Sequence, residues 1–207
     1  PEAYATLSVN AYRYGDLDAV IKLMTKAESL RMFHGNPDLH SPLLGTPGVS
    51  NVMKFVLEGP PPVPKELLNL RRETKLGYSA DIEAYALREE IPYWQLDLVF
   101  YGAPELIEGS RAALRRMFSA IPDATFVDSD ILAVPFTDEQ RDAIHPSSIG
   151  QPSLKIFSVG TRSNWNDAPP THGHLWFSPI IPRTAEAVIE ANRVFGELSR
   201  ELNVPAF

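Results

Sequence analysis

The chain has 207 residues, 44% hydrophobic and 22% charged, ordinary proportions for a globular protein with a core to bury, and a length that suits one large domain or two small ones. A formal net charge of -7 argues against nucleic acid or an anionic membrane surface as the main partner, since both favour a basic face. The absence of cysteine excludes disulfides, thiolate metal sites and cysteine nucleophiles, and no apolar stretch is long enough to span a bilayer.

In chain order, Tyr4 to Tyr14 alternates as a strand, with Ala5, Leu7, Val9 and Ala11 opposite Tyr4, Thr6, Ser8 and Asn10. Asp16 is placed to cap a helix whose apolar stripe is Leu17, Val20, Ile21, Met24 and Ala27. Positions 34 to 48, with Pro37, Pro42, Pro47 and three glycines, read as irregular. Val49 to Leu57 reads as a strand, and 59 to 64, with four prolines, as a stiff connector. Two short helices follow, near Lys65–Arg72 and Ala80–Glu89.

Trp94 to Tyr101 is a strong strand with Leu96, Leu98 and Phe100 on one face. Pro104 starts a helix, its predicted stripe running Leu106, Ser110, Leu114, Met117 and Ile121 until Pro122. The paired arginines Arg71-Arg72 and Arg115-Arg116 read as solvated. Ala124 to Val127 is a short strand, and Thr137 caps a short helix reaching Ile144. Ser153 to Gly160 is a strand; another, around His174, follows a polar loop. Thr184 caps a last helix with Val188, Ala191, Phe195, Leu198 and Leu202 on one side. This mixture predicts an α+β fold, an antiparallel sheet covered by helices. No Gly-x-Gly-x-x-Gly or Walker-type loop occurs, and no serine sits in a nucleophile elbow.

The most informative run is Gly173-His174-Leu175-Trp176-Phe177-Ser178-Pro179-Ile180. On a strand, His174, Trp176, Ser178 and Ile180 share one face. A neutral imidazole nitrogen is a competent nucleophile, and an indole beside it offers a flat wall to a planar ring. Read alone, a strand histidine that only hydrogen-bonds to a loop is the commoner case, and a tryptophan is more often core. Trp165 lies in the polar run Ser163-Asn164-Trp165-Asn166, which suits a site-lining role, whereas Trp94 reads as core. His172 and His174 also form a His-x-His pair, a metal-ligand spacing that Asp167 or His145 can extend. No further ligand motif supports that weaker reading, so no metal is expected.

This run resembles the cap domain of the vanillyl-alcohol oxidase and 4-cresol dehydrogenase family of flavoproteins. There a Gly/Ala-His-Leu-Phe/Trp-Phe-Ser-Pro strand carries the histidine that bonds covalently to flavin. His174 matches that histidine, Trp176 matches an aromatic residue that lines the substrate pocket, and Trp165 matches an aromatic position at the same spacing, so both tryptophans are candidate substrate-binding residues. The stretch Trp94 to Asp128 is similar to the same cap, so three separated segments agree in order and spacing. The resemblance implies a large antiparallel sheet flanked by helices, with ferredoxin-like βαβ elements, as a single cap domain over residues 1–207.

It further implies a separate FAD-binding domain as partner and a para-substituted phenol as substrate. The reaction it implies is hydride transfer from the benzylic carbon to FAD, through a quinone-methide-like species. The base and the phenolate-binding groups fall on family segments that this sequence does not contain. The chain is therefore expected to be a piece of a larger enzyme, soluble and cytoplasmic, without FAD and inactive when isolated. The competing expectation is a self-associating binding module with no catalysis, pairing through a sheet edge or an apolar helix face.

Overall fold

The computed structural model describes residues 1–43, 66, 80–143 and 180–201. The chain divides into two compact units, one of 1–46, 64–135 and 181–207, the other of 47–63 and 136–180. In the first, strands β1 (Ala3–Ala11), β2 (His34–His40), β3 (Trp94–Gly102), β4 (Thr125–Asp128) and the two-residue β5 (Leu132–Ala133) form one sheet. Among the described residues, four α-helical segments of more than one residue belong to the same unit: α1 (Leu17–Ser29), α2 (Ala80–Arg88), α3 (Pro104–Phe118) and α5 (Ala185–Glu201). In the second unit, α4 (Asp138–Ala143) is the one helix among the described residues.

The sheet order is β2-β3-β1-β4, with β5 also on β1, and every pairing is antiparallel. β1 and β2 are thus parallel to each other and split by β3, the ferredoxin-like arrangement. The α+β class with a helix-flanked antiparallel sheet is borne out. It follows from two strand–helix–strand units, each crossing over a strand of the other.

The register explains the core. Ala5, Leu7, Val9 and Ala11 lie opposite Phe100, Leu98, Leu96 and Trp94, and all eight are buried. Alternation puts them on one face, where α1 and α3 pack. The α1 stripe is as expected: Leu17, Val20, Ile21, Met24 and Ala27 are all buried. The Trp94 indole N–H donates to the Tyr14 carbonyl at 2.9 Å, so a core tryptophan keeps its polar atom satisfied.

Several boundaries differ from expectation. β1 ends at Ala11, and Tyr14 instead opens a 3-10 turn through Asp16, its N–H donating to Glu83 Oε2 at 2.7 Å. Asp16 occupies the cap position of α1 without capping it. Its carboxylate accepts from the Arg13 N–H at 3.1 Å and so closes the preceding turn. Positions 34–40, expected to be irregular, form edge strand β2 with a bulge: His34 pairs with Val99 and Asp38 with Asp97, so the β2 stretch carries two extra residues. Gly35 sits there at φ 67°, a left-handed value that glycine takes without strain, and Pro37 is tolerated because a bulged edge strand needs no N–H from it.

The α3 stripe is Ile107, Arg111, Leu114 and Phe118, one position off the predicted phase at its start; Leu106 is 70% exposed. α1 and α2 both end on left-handed non-glycine residues, Arg31 and Glu90. After each, an N–H reaches back six residues inclusive, Met32 to the Ala27 carbonyl and Ile91 to the Ala86 carbonyl, closing orphan carbonyls.

Thr137 and Thr184 cap as expected, accepting from the Gln140 and Ala187 N–H groups at 3.2 Å each. Gln140 returns the bond to the Thr137 N–H at 2.9 Å, completing a capping box. No helix among the described residues is long and apolar enough to cross a membrane.

Candidate functional site

The site residues read from sequence, His174, Trp176 and Trp165, lie outside the described residues, as do His172, His145 and Asp167. The described structure instead defines the frame on which a site can be built: the second face of the sheet. There, Tyr4, Thr6, Ser8 and Asn10 of β1 stand opposite Tyr101, Val99, Asp97 and Gln95 of β3. β2 adds Asp38 opposite Asp97 and His40 opposite Gln95. The same alternation that builds the apolar core thus gathers two aliphatic hydroxyls, two phenols, two amides, two carboxylates and an imidazole on this face.

Asp97 is held firmly. Its Oδ1 accepts from Ser8 Oγ at 2.5 Å, and Gln95 Nε2 donates to both carboxylate oxygens at 3.1 Å. Asp38 Oδ1 lies 3.7 Å from His40 Nδ1, and the His40 side chain is only 4% exposed. Neither His40 nitrogen makes a hydrogen bond, and Asn10 Oδ1 on the same face is also buried without a partner. Buried polar atoms are nearly always paired, so such orphans call for an explanation.

At the other end of this face the residues are aromatic. The Tyr4 and Tyr101 rings are 5.4 Å apart, and His34 meets Tyr101 edge-on at 5.9 Å. His34 Nδ1 accepts from the Tyr101 N–H at 3.1 Å, which fixes the ring. Burial raises the pKa of the Tyr101 phenol and that of Tyr14, keeping both hydroxyls as protonated donors. Elsewhere in this unit, a cleft of about 310 Å³ is lined by Ile21, Met24, Pro37, Leu39 and Val188, with Arg183.

Sequence reasoning also passed over Arg111. It is 3% exposed on the α3 stripe, and its Nη2 donates to the carbonyls of Thr6 at 2.7 Å and Ser129 at 2.8 Å. The guanidinium stands 6.0 Å over the Phe100 ring and 3.6 Å from Asp128. Arg115, expected to be solvated, pairs with Asp128 and stacks on Phe126 at 5.6 Å; Arg116 is exposed. The two bound arginines tie α3 to β1 and β4, a fixed scaffold rather than an anion site, because Asp128 answers both.

The described residues do not fit the pyrophosphate of FAD. Helix N-termini bind phosphate through free N–H groups and the positive dipole end. Here every described helix carries an acid in its first turn: Asp18, Asp81 and Glu83, Glu105, Asp138 and Glu139, and Glu186.

The frame is that of an α+β sheet domain with one closed and one polar face. Its fold is found within solved enzymes. The 4-ethylphenol oxidase from Gulosibacter chungangensis, solved as an isoeugenol complex, matches over 96% of this chain with a TM-score of 0.56 and 16% identity. This chain covers 35% of that one. A p-cresol methylhydroxylase with substrate bound matches over 78% of this chain and 28% of its own, with a TM-score of 0.44 and 14% identity. The chain thus spans about a third of the length of these enzymes. No family model and no curated protein sequence matches it. At the level of fold, the expected likeness to a phenol-oxidising enzyme is borne out.

Proposed function

We propose that this chain is the substrate-covering cap of an FAD-dependent oxidoreductase acting on para-substituted phenols. The observation that carries the reading is the agreement of two independent signals: the His174 motif with its two tryptophans in the sequence, and a fold shared with a 4-ethylphenol oxidase along 96% of the chain. In this reading His174 bonds to the flavin, and Trp176 and Trp165 wall the phenol ring.

The cofactor's pyrophosphate is held by a separate FAD-binding domain, because acid at every described helix N-terminus disfavours it here. FAD, when bound there, supplies the hydride acceptor. The cap's own work is binding: it closes over the phenol, excludes water and orients the ring against the cofactor. The rigid sheet, braced by Arg111 and by the Ser8–Asp97 bond, suits that task, since a positioning surface must hold its geometry.

The test is anaerobic addition of a 4-alkylphenol to the protein isolated with the chain segments that flank it naturally, and to the 207-residue chain alone. The expected result is bleaching of the flavin absorbance in the first and none in the second. Trp176→Ala is expected to raise KM about tenfold or more, as loss of one aromatic wall does. Failure of any phenol to bleach the flavin of the first overturns the phenol reading, and bleaching by the chain alone overturns the division of labour.

A further inference from the structure

We propose that Asp38, His40 and Asp97 form a binding site for a first-row divalent cation of the zinc or manganese class. The inference is independent of the flavin reading.

Four observations converge. One ligand atom from each of the three residues lies within 4.8 Å of the others. His40, 94% buried by its 6% exposure, leaves both ring nitrogens without a hydrogen bond, although burying an unpaired polar atom is costly. Asp38 and Asp97 face each other directly across adjacent strands, on the sheet face that also carries His40. Finally, Asp97 is oriented by Ser8 and Gln95, as outer partners orient a ligating carboxylate.

A cation between the three removes the cost of the orphaned imidazole. It takes a nitrogen of His40 as ligand, with the two facing carboxylates beside it.

The geometry is near what a metal requires. Bonds of about 2.1 Å in a tetrahedral site set ligand atoms about 3.4 Å apart. The His40 Nδ1 to Asp38 Oδ1 separation is 3.7 Å. One imidazole and two carboxylates suit zinc, manganese or cobalt rather than a soft ion. Asp38 and His40 are alternate residues of one edge strand, and the bulge preceding them lets this end of β2 adjust without disturbing the β1–β3 core. Water completes the coordination. The site is distinct from the His172–His174 pair in sequence and uses none of its residues.

The test is titration of the EDTA-treated chain with Co²⁺, read by its visible ligand-field bands, followed by displacement with Zn²⁺. One equivalent is expected to bind. Asp38→Asn, His40→Asn and Asp97→Asn should each weaken binding at least tenfold, with far-UV circular dichroism unchanged. Where His40→Asn fails to fold, Asp38→Asn decides, because that side chain is 27% exposed on an edge strand. A double variant, His172→Ala with His174→Ala, should bind as the parent does. No ligand-field bands at millimolar Co²⁺ would overturn the proposal. So would binding that survives Asp38→Asn and Asp97→Asn in folded protein, or binding lost in the His172/His174 double variant.

Discussion

The two faces of one sheet divide the labour of this molecule. On the face covered by α1 and α3, Leu7, Val9, Leu96, Leu98 and Phe100 are at most 1% exposed, and their burial supplies the stability. On the other, Ser8, Asn10, Gln95 and Asp97 stand at half-buried positions of the same strands, joined by Asp38 and His40. A two-residue period lets every strand serve both purposes. The fold therefore rests on one face, and the other is free to carry chemistry that costs stability, such as an unpaired buried imidazole. That is the expected signature of a functional surface.

The comparison can be broken most directly on the closed face. Leu98→Ala, in the middle of β3 and fully buried, should lower unfolding free energy by about 2–5 kcal/mol, read from the urea midpoint. An effect below 1 kcal/mol would mean that the helix face is not the core.

Arg111 tests whether the α3 scaffold is polar as well as apolar. Arg111→Leu strands the Thr6 and Ser129 carbonyls and should cost about 2–3 kcal/mol. Arg111→Lys should recover part of this, since an ammonium cannot reproduce the planar fork.

On the polar face the effect should depend on metal. Asp97→Asn removes one of two facing carboxylates. In EDTA it should change stability by less than about 1 kcal/mol, since the amide oxygen can still accept from Ser8. With saturating Zn²⁺ the parent gains stability by mass action and the variant does not, which differential scanning calorimetry would show as diverging Tm values.

The smallest effect concerns Asp16. Its pKa is raised chiefly by burial, only partly opposed by the hydrogen bond from the Arg13 N–H and by the Arg13 charge. A carboxyl whose folded pKa exceeds its unfolded value binds its proton more tightly when folded. Its ionisation therefore penalises the fold above the folded pKa, and the penalty vanishes below the unfolded value. Asp16→Asn should accordingly raise Tm slightly at neutral pH, with the advantage disappearing as pH falls below about 3.9, the ordinary carboxylate value.

Much of this frame was legible in sequence, because its signals are periodic. The α1 stripe, the β1 and β3 alternation, Pro104 at a helix start and the two threonine caps all follow from local rules that tertiary packing left intact. Three misses share a different cause. The α3 stripe was mis-phased because Arg111, a charged residue, occupies an apolar position: its guanidinium finds carbonyl partners from β1 and the β4–β5 loop, which no local pattern encodes. β2 was missed because Pro37 and Gly35 signal a break, and only pairing with β3 makes a bulged strand of them. Asp38, His40 and Asp97 were missed because their proximity depends on the register of that bulge. Asp38-x-His40 carries the one local hint, two ligand-type residues in phase.

The claim at the centre of this account is that the chain caps a flavin, with His174 as its anchor. The most direct measurement is mass spectrometry of a tryptic digest of the protein purified from its natural source, covering the peptide 163–183 that holds Trp165, His174 and Trp176, together with assay of any FAD released. The account predicts that peptide carrying one FAD on His174. An unmodified peptide from a protein that releases no FAD would contradict it.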